Sequence, residues 1–344
     1  MEITFRCTSC RVKLGVEVEY AGKRMYCPMC GEKITIPKAG LGTWTTLGGC
    51  RLNKIVGEGS SGSVYLATER SMEREVAIKV FKPELSQNST FLEKFKREIK
   101  NIARLAHPNI VRAYRAGSEN EYHFLIMEYI SAGTIEDRII RHGYFTEKEA
   151  LTITLLTSQA LDYAWQKEGL LHLDLKPENL MLDHNGNVKI TDLGIARCVH
   201  EFQYETETEI TGTPAFMSPE QAGGFMDLDF RSDIFSLGAT LYYMLTAKNP
   251  FDGESILEIM EKVINQEILP PENFNSSISK ETSLLLKSMM KKDRYERPQD
   301  WHDIIITLKE QLASSDTKQI NMNKFPTEPR IHINTKSPKA RDGL

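Results

Sequence analysis

The stretch LLHLDLKPENLMLDHNGNVKITDLG, residues 170–194, gathers side chains that can do chemistry in a short span. Asn185-Gly186 suits a two-residue hairpin turn, so residue numbers summing to 371 are expected to face one another: His184 with Asn187, Leu180 with Thr191 and Asn179 with Asp192. An amide and a carboxylate meeting at the hairpin's open end, with room for water and phosphate oxygens, make a hard-oxygen site suited to Mg2+. Asp174 stands five residues before Asn179, close enough to share that site and to orient and accept the proton of an attacking hydroxyl.

A second group lies upstream. In LNKIVGEGSSGSVYLA, Gly57, Gly59 and Gly62 form G-x-G-x-x-G with Glu58 inside it, and a strand-like run from Val64, not a helix, follows. The loop is therefore a hairpin tip whose backbone N–H groups can lie over phosphates. The next strand, Glu75 to Phe81, places Val76, Ile78 and Val80 on one face and Ala77 and Lys79 on the other. A lysine in an apolar strand is either an exposed edge residue or a functional cation, and its place directly after a glycine hairpin favours the second. Residues 90–105 have a helical pattern (Phe91, Phe95, Ile99, Ile102, Leu105) opened by a Thr90-x-x-Glu93 capping box. Glu98 lies beside that apolar stripe and needs a cation, which pairs it with Lys79.

The third group is Cys7-x-x-Cys10 and Cys27-x-x-Cys30, spaced as in four-cysteine zinc sites. Alternating Val12, Leu14, Val16, Val18 and Tyr20 read as strand, which can bring the second turn back to face the first. Tetrahedral sulfur ligation suits Zn2+. A redox dithiol and a rubredoxin-like iron centre are the alternatives, and no βαβ pattern supports the first. Cys50 and Cys198 read as ordinary thiols. CTSC and CPMCG resemble the knuckles of zinc-ribbon proteins, which implies a small β-ribbon and no particular partner. At this size the metal would supply much of the module's folding free energy.

These groups need a scaffold, and the whole chain can provide one. It has 344 residues, 40% of them apolar and 26% charged, ordinary values for a globular protein of two or three domains. Lys plus Arg number 43 against 47 Asp plus Glu, a net charge of −4 that leaves no basic surplus for nucleic acid. No apolar run approaches the roughly 18–20 residues of a membrane helix, and MEITFRCTSCRVK lacks the apolar core of a signal peptide, so the expected location is the cytoplasm. A long amphipathic helix over about 147–168, ended by Gly169, precedes the 170–194 stretch. Pro37, Gly40, Gly42 and Gly48-Gly49 read as linker.

Taken together, residues 48–312 closely resemble the protein kinase family, and in particular the eukaryotic-like Ser/Thr kinases of bacteria. GEGSSGSV matches the glycine loop, VAIK the phosphate-binding lysine (Lys79), Glu98 its αC partner, HLDLKPEN the catalytic loop, DLG the metal motif and SPE at 218–220 the end of the activation segment. The resemblance implies an α+β, two-lobed kinase fold: an antiparallel β N-lobe with the αC helix, then a mostly helical C-lobe. The expected organisation is a zinc ribbon at 1–38, a linker at 39–47, the kinase domain at 48–312 divided at residue 130, and a disordered tail at 313–344.

It further implies ATP, Mg2+ and protein substrates bearing Ser or Thr, the acceptor type matched by Lys176 and Thr213. Gly57, Glu58, Gly59, Gly62, Val64, Ala77, Lys79, Met127, Glu128, Ile130 and Met181 would bind ATP. Met127 would be the gatekeeper, Glu128 and Ile130 the hinge, and Val64, Ala77 and Met181 the ring sandwich. Asp174 would be the base, Lys176 would steady the γ-phosphate, and Asn179 and Asp192 would hold Mg2+. Glu220 and Arg297 match a buried ion pair, and Asp233 the brace of the catalytic loop.

Two positions depart from the family pattern. The arginine of the HRD motif is Leu173, so the arginine that normally meets a phosphorylated activation segment is missing, and control through Thr206, Thr208 or Thr211 is not expected. The phenylalanine of DFG is Leu193, an apolar exchange that leaves Asp192 in place. Catalytic groups being present, an active kinase is favoured over a pseudokinase scaffold; the ribbon is expected to dock an unknown partner or regulate the enzyme.

Overall fold

The computed structural model describes residues 2–7, 9–10, 12–17, 20, 23–36, 45–59, 62–82, 89–119, 122–193 and 214–314. Thr206, Thr208, Thr211, Thr213, Cys198, most of the linker and the tail from 315 onward lie outside the described residues, as do the side chains of Phe91, Phe95 and Glu98.

At the N-terminus two small antiparallel hairpins carry the cysteines: β1 (Glu2–Arg6) with β2 (Lys13–Glu17), and β3 (Arg24–Tyr26) with β4 (Lys33–Thr35). Each begins or ends at a knuckle closed by its own backbone, Cys7 N–H to Val12 C=O at 2.9 Å and Cys27 N–H to Glu32 C=O at 2.8 Å. The core is only Cys7, Leu14, Cys27, Ile34 and Ile36, with Val12, Val16 and Met25 packed around it. So little apolar surface cannot hold a fold by itself.

The next unit opens with a six-stranded antiparallel sheet ordered β5-β6-β7-β8-β10-β9. Its strands are β5 (Thr46–Leu47), β6 (Cys50–Glu58), β7 (Gly62–Glu69), β8 (Arg74–Phe81), β9 (Ala113–Glu119) and β10 (Tyr122–Glu128). Gly48-Gly49 is thus a hairpin turn and not linker. Both residues have positive φ, 56° and 76°, as a type I′ turn requires, and the turn pairs Leu47 with Cys50. β8 sorts its side chains as its alternation predicts: Val76, Ile78 and Val80 join one apolar cluster with Cys50 and Leu52, while Ala77 and Phe81 join the other. Helix α1 (Ser89–Ile102) stops short of residue 105, tightening through Leu105 N–H to Ile102 C=O at 3.0 Å ahead of Pro108.

The remainder is mostly helical: α2 (Ile135–His142), α3 (Glu147–Glu168), the short α4 (Pro219–Ala222), α5 (Phe230–Thr246), α6 (Ile256–Asn265), α7 (Lys280–Met289) and α8 (Trp301–Ser314). α3 keeps its expected limits because both ends are specified: a Thr146/Glu149 capping box at one and left-handed Gly169 at the other. α5 is apolar nearly all round and forms the centre of this lobe, with Ile234, Phe235, Leu237 and Leu241 all 0% exposed. Among the described residues no helix is long and apolar enough to cross a membrane.

Candidate active site

The sheet register brings the upstream group together. Val64 lies opposite Lys79, Lys79 opposite Leu125, and Ala77 opposite both Leu66 and Met127. Directly opposed residues share a face, so Val64, Ala77, Lys79 and Met127 line one side of the sheet. Val64 and Met181 pack as half-buried residues against the cluster that contains Ala77, Met127 and Ile130. The residues expected to enclose a flat ring therefore share one apolar surface. Glu128 donates its N–H to Arg112 C=O at 2.9 Å, while its carboxylate meets Lys189 Nζ at 3.1 Å. Among the described residues no hydrogen bond outside the helices and strands engages the Ile130 backbone.

The glycine loop is the β6–β7 turn, closed by Gly59 N–H to Gly62 C=O at 2.9 Å. Gly62 is demanded by the protein: a Cβ there would sit 2.0 Å from Val80 C=O oxygen. Gly57 and Gly59 are different, since a Cβ on either would meet nothing closer than 3.9 Å. Their lack of side chains opens space above the loop instead of relieving a contact within it, as close backbone approach by a phosphate needs.

Across the cleft, β11 (Leu180–Leu182) and β12 (Val188–Ile190) form the expected hairpin in a different register. Leu180 pairs with Ile190 and Leu182 with Val188, so residue numbers sum to 370. The cause is the turn. Asp183 N–H bonds Asn187 C=O at 2.9 Å, and its carboxylate accepts the N–H groups of Asn185 and Asn187, both at 2.8 Å, which builds a three-residue loop with Gly186 at φ 79°. Asn179 consequently faces Thr191, whose N–H it accepts at 3.0 Å, and Asp192 falls one step beyond.

The polar groups nonetheless converge. Asn179 Nδ2 donates to Asp174 C=O at 2.6 Å and to Asp174 Oδ2 at 3.0 Å, and Lys176 Nζ lies 3.1 Å from Asp174 Oδ1. With its nitrogen spent on Asp174, Asn179 keeps its carbonyl oxygen as a free acceptor. Lys79 Nζ pairs with Asp192 Oδ2 at 2.7 Å, bridging the sheet to the hairpin. Its expected pairing with Glu98 falls on a side chain outside the described residues. Asp192 Oδ1 is buried without a hydrogen-bond partner. A buried carboxylate oxygen without a partner on Asp192 and a side-chain amide oxygen left free on Asn179 are donors that fit Mg2+.

The catalytic loop is held from below. Asp233, on α5, accepts the N–H groups of His172 and Leu173, both at 2.8 Å. Burial pushes the Asp233 carboxyl upward, opposed by His172 and by these two N–H donors. His172 Nδ1 accepts Asp174 N–H at 3.3 Å, which leaves Nε2–H to donate to Thr191 C=O at 2.9 Å. Further off, Arg297 makes a two-pronged bond to Glu220 at 2.7 and 2.8 Å, with Ser232 Oγ donating to the same carboxylate at 2.6 Å. Burial opposes ionisation of Glu220, but Arg297, Ser232 and a backbone N–H together offset it and hold the carboxyl below its ordinary range.

Two contributors escaped the sequence reading. Asn109 Nδ2 donates to Val188 C=O at 2.8 Å, and its own C=O accepts Ile190 N–H at 2.8 Å, tying β12 to the sheet-bearing lobe. Gln221 Nε2 donates to Leu173 C=O at 2.8 Å. Pro108 before Asn109 was the available signal for the first; nothing in the residue pattern marked the second.

The four ribbon cysteines form a separate cluster. Their sulfurs all lie within 4.8 Å of one another, with Cys7–Cys30 and Cys10–Cys27 each at 3.6 Å, well beyond the roughly 2.05 Å of a disulfide. The Cys10 N–H, ahead of burial, holds Cys7 down at about 6. Cys10, despite the Val12 N–H, is pushed up to about 12 by burial and neighbouring sulfurs. Four thiols so crowded cannot all ionise without a cation, and the set fits Zn2+.

Residues 50–309 match the family described as "Protein kinase domain", and the chain belongs to that family. It is 33% identical over 291 residues to a probable serine/threonine-protein kinase of Clostridium perfringens, CPE1738, covering 85% of this chain and 40% of that protein. It is 31% identical to serine/threonine-protein kinase PrkC of Bacillus subtilis over 84% of this chain and 44% of the relative. The chain thus spans about two fifths of the length of these curated relatives. The crystal structure of the Mycobacterium tuberculosis PknI kinase domain superposes with a TM-score of 0.63 at 22% identity, covering 79% of this chain and 99% of that one, so the two share a fold.

Proposed function

We propose that the chain transfers the γ-phosphate of Mg-ATP to serine or threonine hydroxyls of protein substrates, itself included. The observation that carries this reading is the convergence on Asp174, whose carboxylate is held by Lys176 and Asn179 within the same loop. The acceptor hydroxyl oxygen forms a bond to the γ-phosphorus as the bond to the β,γ-bridging oxygen breaks. ADP leaves with that electron pair, and the hydroxyl proton goes to Asp174. Asp174 orients the hydroxyl, Lys176 neutralises charge on the γ-phosphoryl oxygens, and Lys79 holds the α- and β-phosphates, steadied by Glu98. Val64, Ala77, Met127 and Met181 enclose the adenine, Glu128 and Ile130 present backbone groups to its edge, and the Gly57-Glu58-Gly59 segment with Gly62 covers the phosphates.

Asn179 and Asp192 would hold Mg2+, which when bound neutralises charge between the β- and γ-phosphates. Cys7, Cys10, Cys27 and Cys30 would hold Zn2+, which would cross-link a module whose core is too small to stand alone. The ribbon then serves as a docking or regulatory arm of the kinase, its partner undefined, and the enzyme acts in the cytoplasm. The test is transfer of labelled γ-phosphate to the chain itself and to a basic protein with and without Mg2+, followed by identification of the acceptors. Mg2+-dependent phosphoserine or phosphothreonine supports the proposal; nucleotide binding without any transfer overturns it in favour of a scaffold.

A further inference from the structure

Leu173, next to the proposed base, is not glycine and yet has φ 60°. Left-handed backbone is costly for a side chain with a Cβ and persists where the surroundings hold it. Two buried side chains do so here. Asp233, from α5, takes the Leu173 N–H at 2.8 Å, and Gln221, from α4, gives its Nε2–H to the Leu173 C=O at 2.8 Å. Both polar groups of one peptide-flanking residue are thus pinned by side chains only 2% and 3% exposed. The same Gln221 amide uses its oxygen for the Ser218 N–H at 3.1 Å and the Ser218 Oγ at 3.2 Å, the reciprocal cap of α4. One side chain therefore ties the catalytic loop to the segment that ends at residue 222, the exit of the 194–213 stretch.

We propose that Gln221 is a positioning residue for phosphoryl transfer: its amide fixes the Leu173 carbonyl, and so the direction in which Asp174 leaves the backbone. Leu173 stands where the resembled family has an arginine able to reach the activation segment through its side chain. Among the described residues of this chain, Gln221 joins the Leu173 backbone to Ser218 at the end of that segment. Asp174 follows Leu173 directly, and its N–H and carboxylate are already committed to His172 and to Asn179 and Lys176. A rotation of the peptide between residues 173 and 174 therefore displaces the base relative to the acceptor hydroxyl, and misplacement of about 1 Å costs on the order of 100-fold in rate.

The inference rests on the kinase reading, and the experiment separates the two. Full-length Q221M keeps the volume and loses every amide bond, whereas S218A loses part of the α4 cap and keeps the bond to Leu173. The expected result is a kcat for Q221M lower by about 10- to 100-fold with KM for ATP unchanged, and a kcat for S218A close to that of the unsubstituted chain. Amide hydrogen exchange in the 171–175 peptide, which needs no turnover, should accelerate in Q221M and not in S218A, even if the unsubstituted chain transfers no phosphate. Should Q221M not fold, Q221E serves: its carboxyl can donate to Leu173 only when protonated, so its kcat relative to the unsubstituted chain rises as pH falls. Equal losses in Q221M and S218A, unchanged exchange at 171–175 in Q221M, or a pH-independent ratio for Q221E would each overturn the proposal.

Discussion

The helical lobe holds two sets of charges, and they are built to opposite ends. Glu220 and Arg297 are almost sealed, their side chains 8% and 0% exposed, and every prong of the guanidinium is used, by Glu220 and by the carbonyls of Lys291, Lys292 and Arg231. Asp174 and Lys176 are 39% and 16% exposed, and a single 3.1 Å contact joins them. A sealed pair has already been desolvated, and removing one partner strands a buried charge. The open pair keeps solvent access and acceptor capacity, so its removal costs little stability. On the proposed function, structure and chemistry are carried by different charges in one lobe, and each can be removed without the other.

The largest stability effect is expected at the sealed pair. R297A should destabilise by about 3–5 kcal/mol, read as a fall in melting temperature, whereas replacing Glu220 and Arg297 together by apolar residues of similar volume should cost less than the single change. An R297A protein that melts like the unsubstituted chain would erase the distinction. On the chemical side, K79M removes the cation facing Asp192 and should lower kcat/KM about 100- to 1000-fold, close to 3–4 kcal/mol of transition-state stabilisation.

The ribbon differs from the kinase unit in what holds it together. Chelation should abolish the ribbon's fold, seen as loss of exchange protection across residues 2–36, while the kinase unit keeps its melting transition. Loss of both together would mean that the two do not fold separately. The smallest effect is pH dependence at Glu220. Its carboxyl lies below the ordinary range in the folded state, so its contribution is complete above the unfolded value and is lost as pH falls through the folded one. The acid limb of a stability profile should therefore flatten in E220Q.

How much was legible beforehand follows from the range of the interactions. α3 could be bounded from Thr146, Glu149 and Gly169 alone, because caps are local. The faces of β8 followed from alternation, and the meeting of Asp174 with Asn179 from short spacing. The hairpin register was missed by one because Asp183 wraps the turn with its carboxylate, a side-chain bond that Asn185-Gly186 does not announce. Gly48-Gly49 looked like linker because a two-residue strand is too short to show a period. Gln221 and Asn109 were out of reach for another reason: each bonds a backbone carbonyl 48 or 79 residues away, and a carbonyl has no residue type to recognise.

The division between sealed and open charges is tested most directly at the proposed base. Full-length D174N should be measured for γ-phosphate transfer, ATP affinity and melting temperature in one set of preparations. The account predicts transfer slower by about 100- to 10,000-fold, with affinity and melting close to those of the unsubstituted chain. Undiminished transfer, or a loss of transfer that merely tracks unfolding, would contradict it.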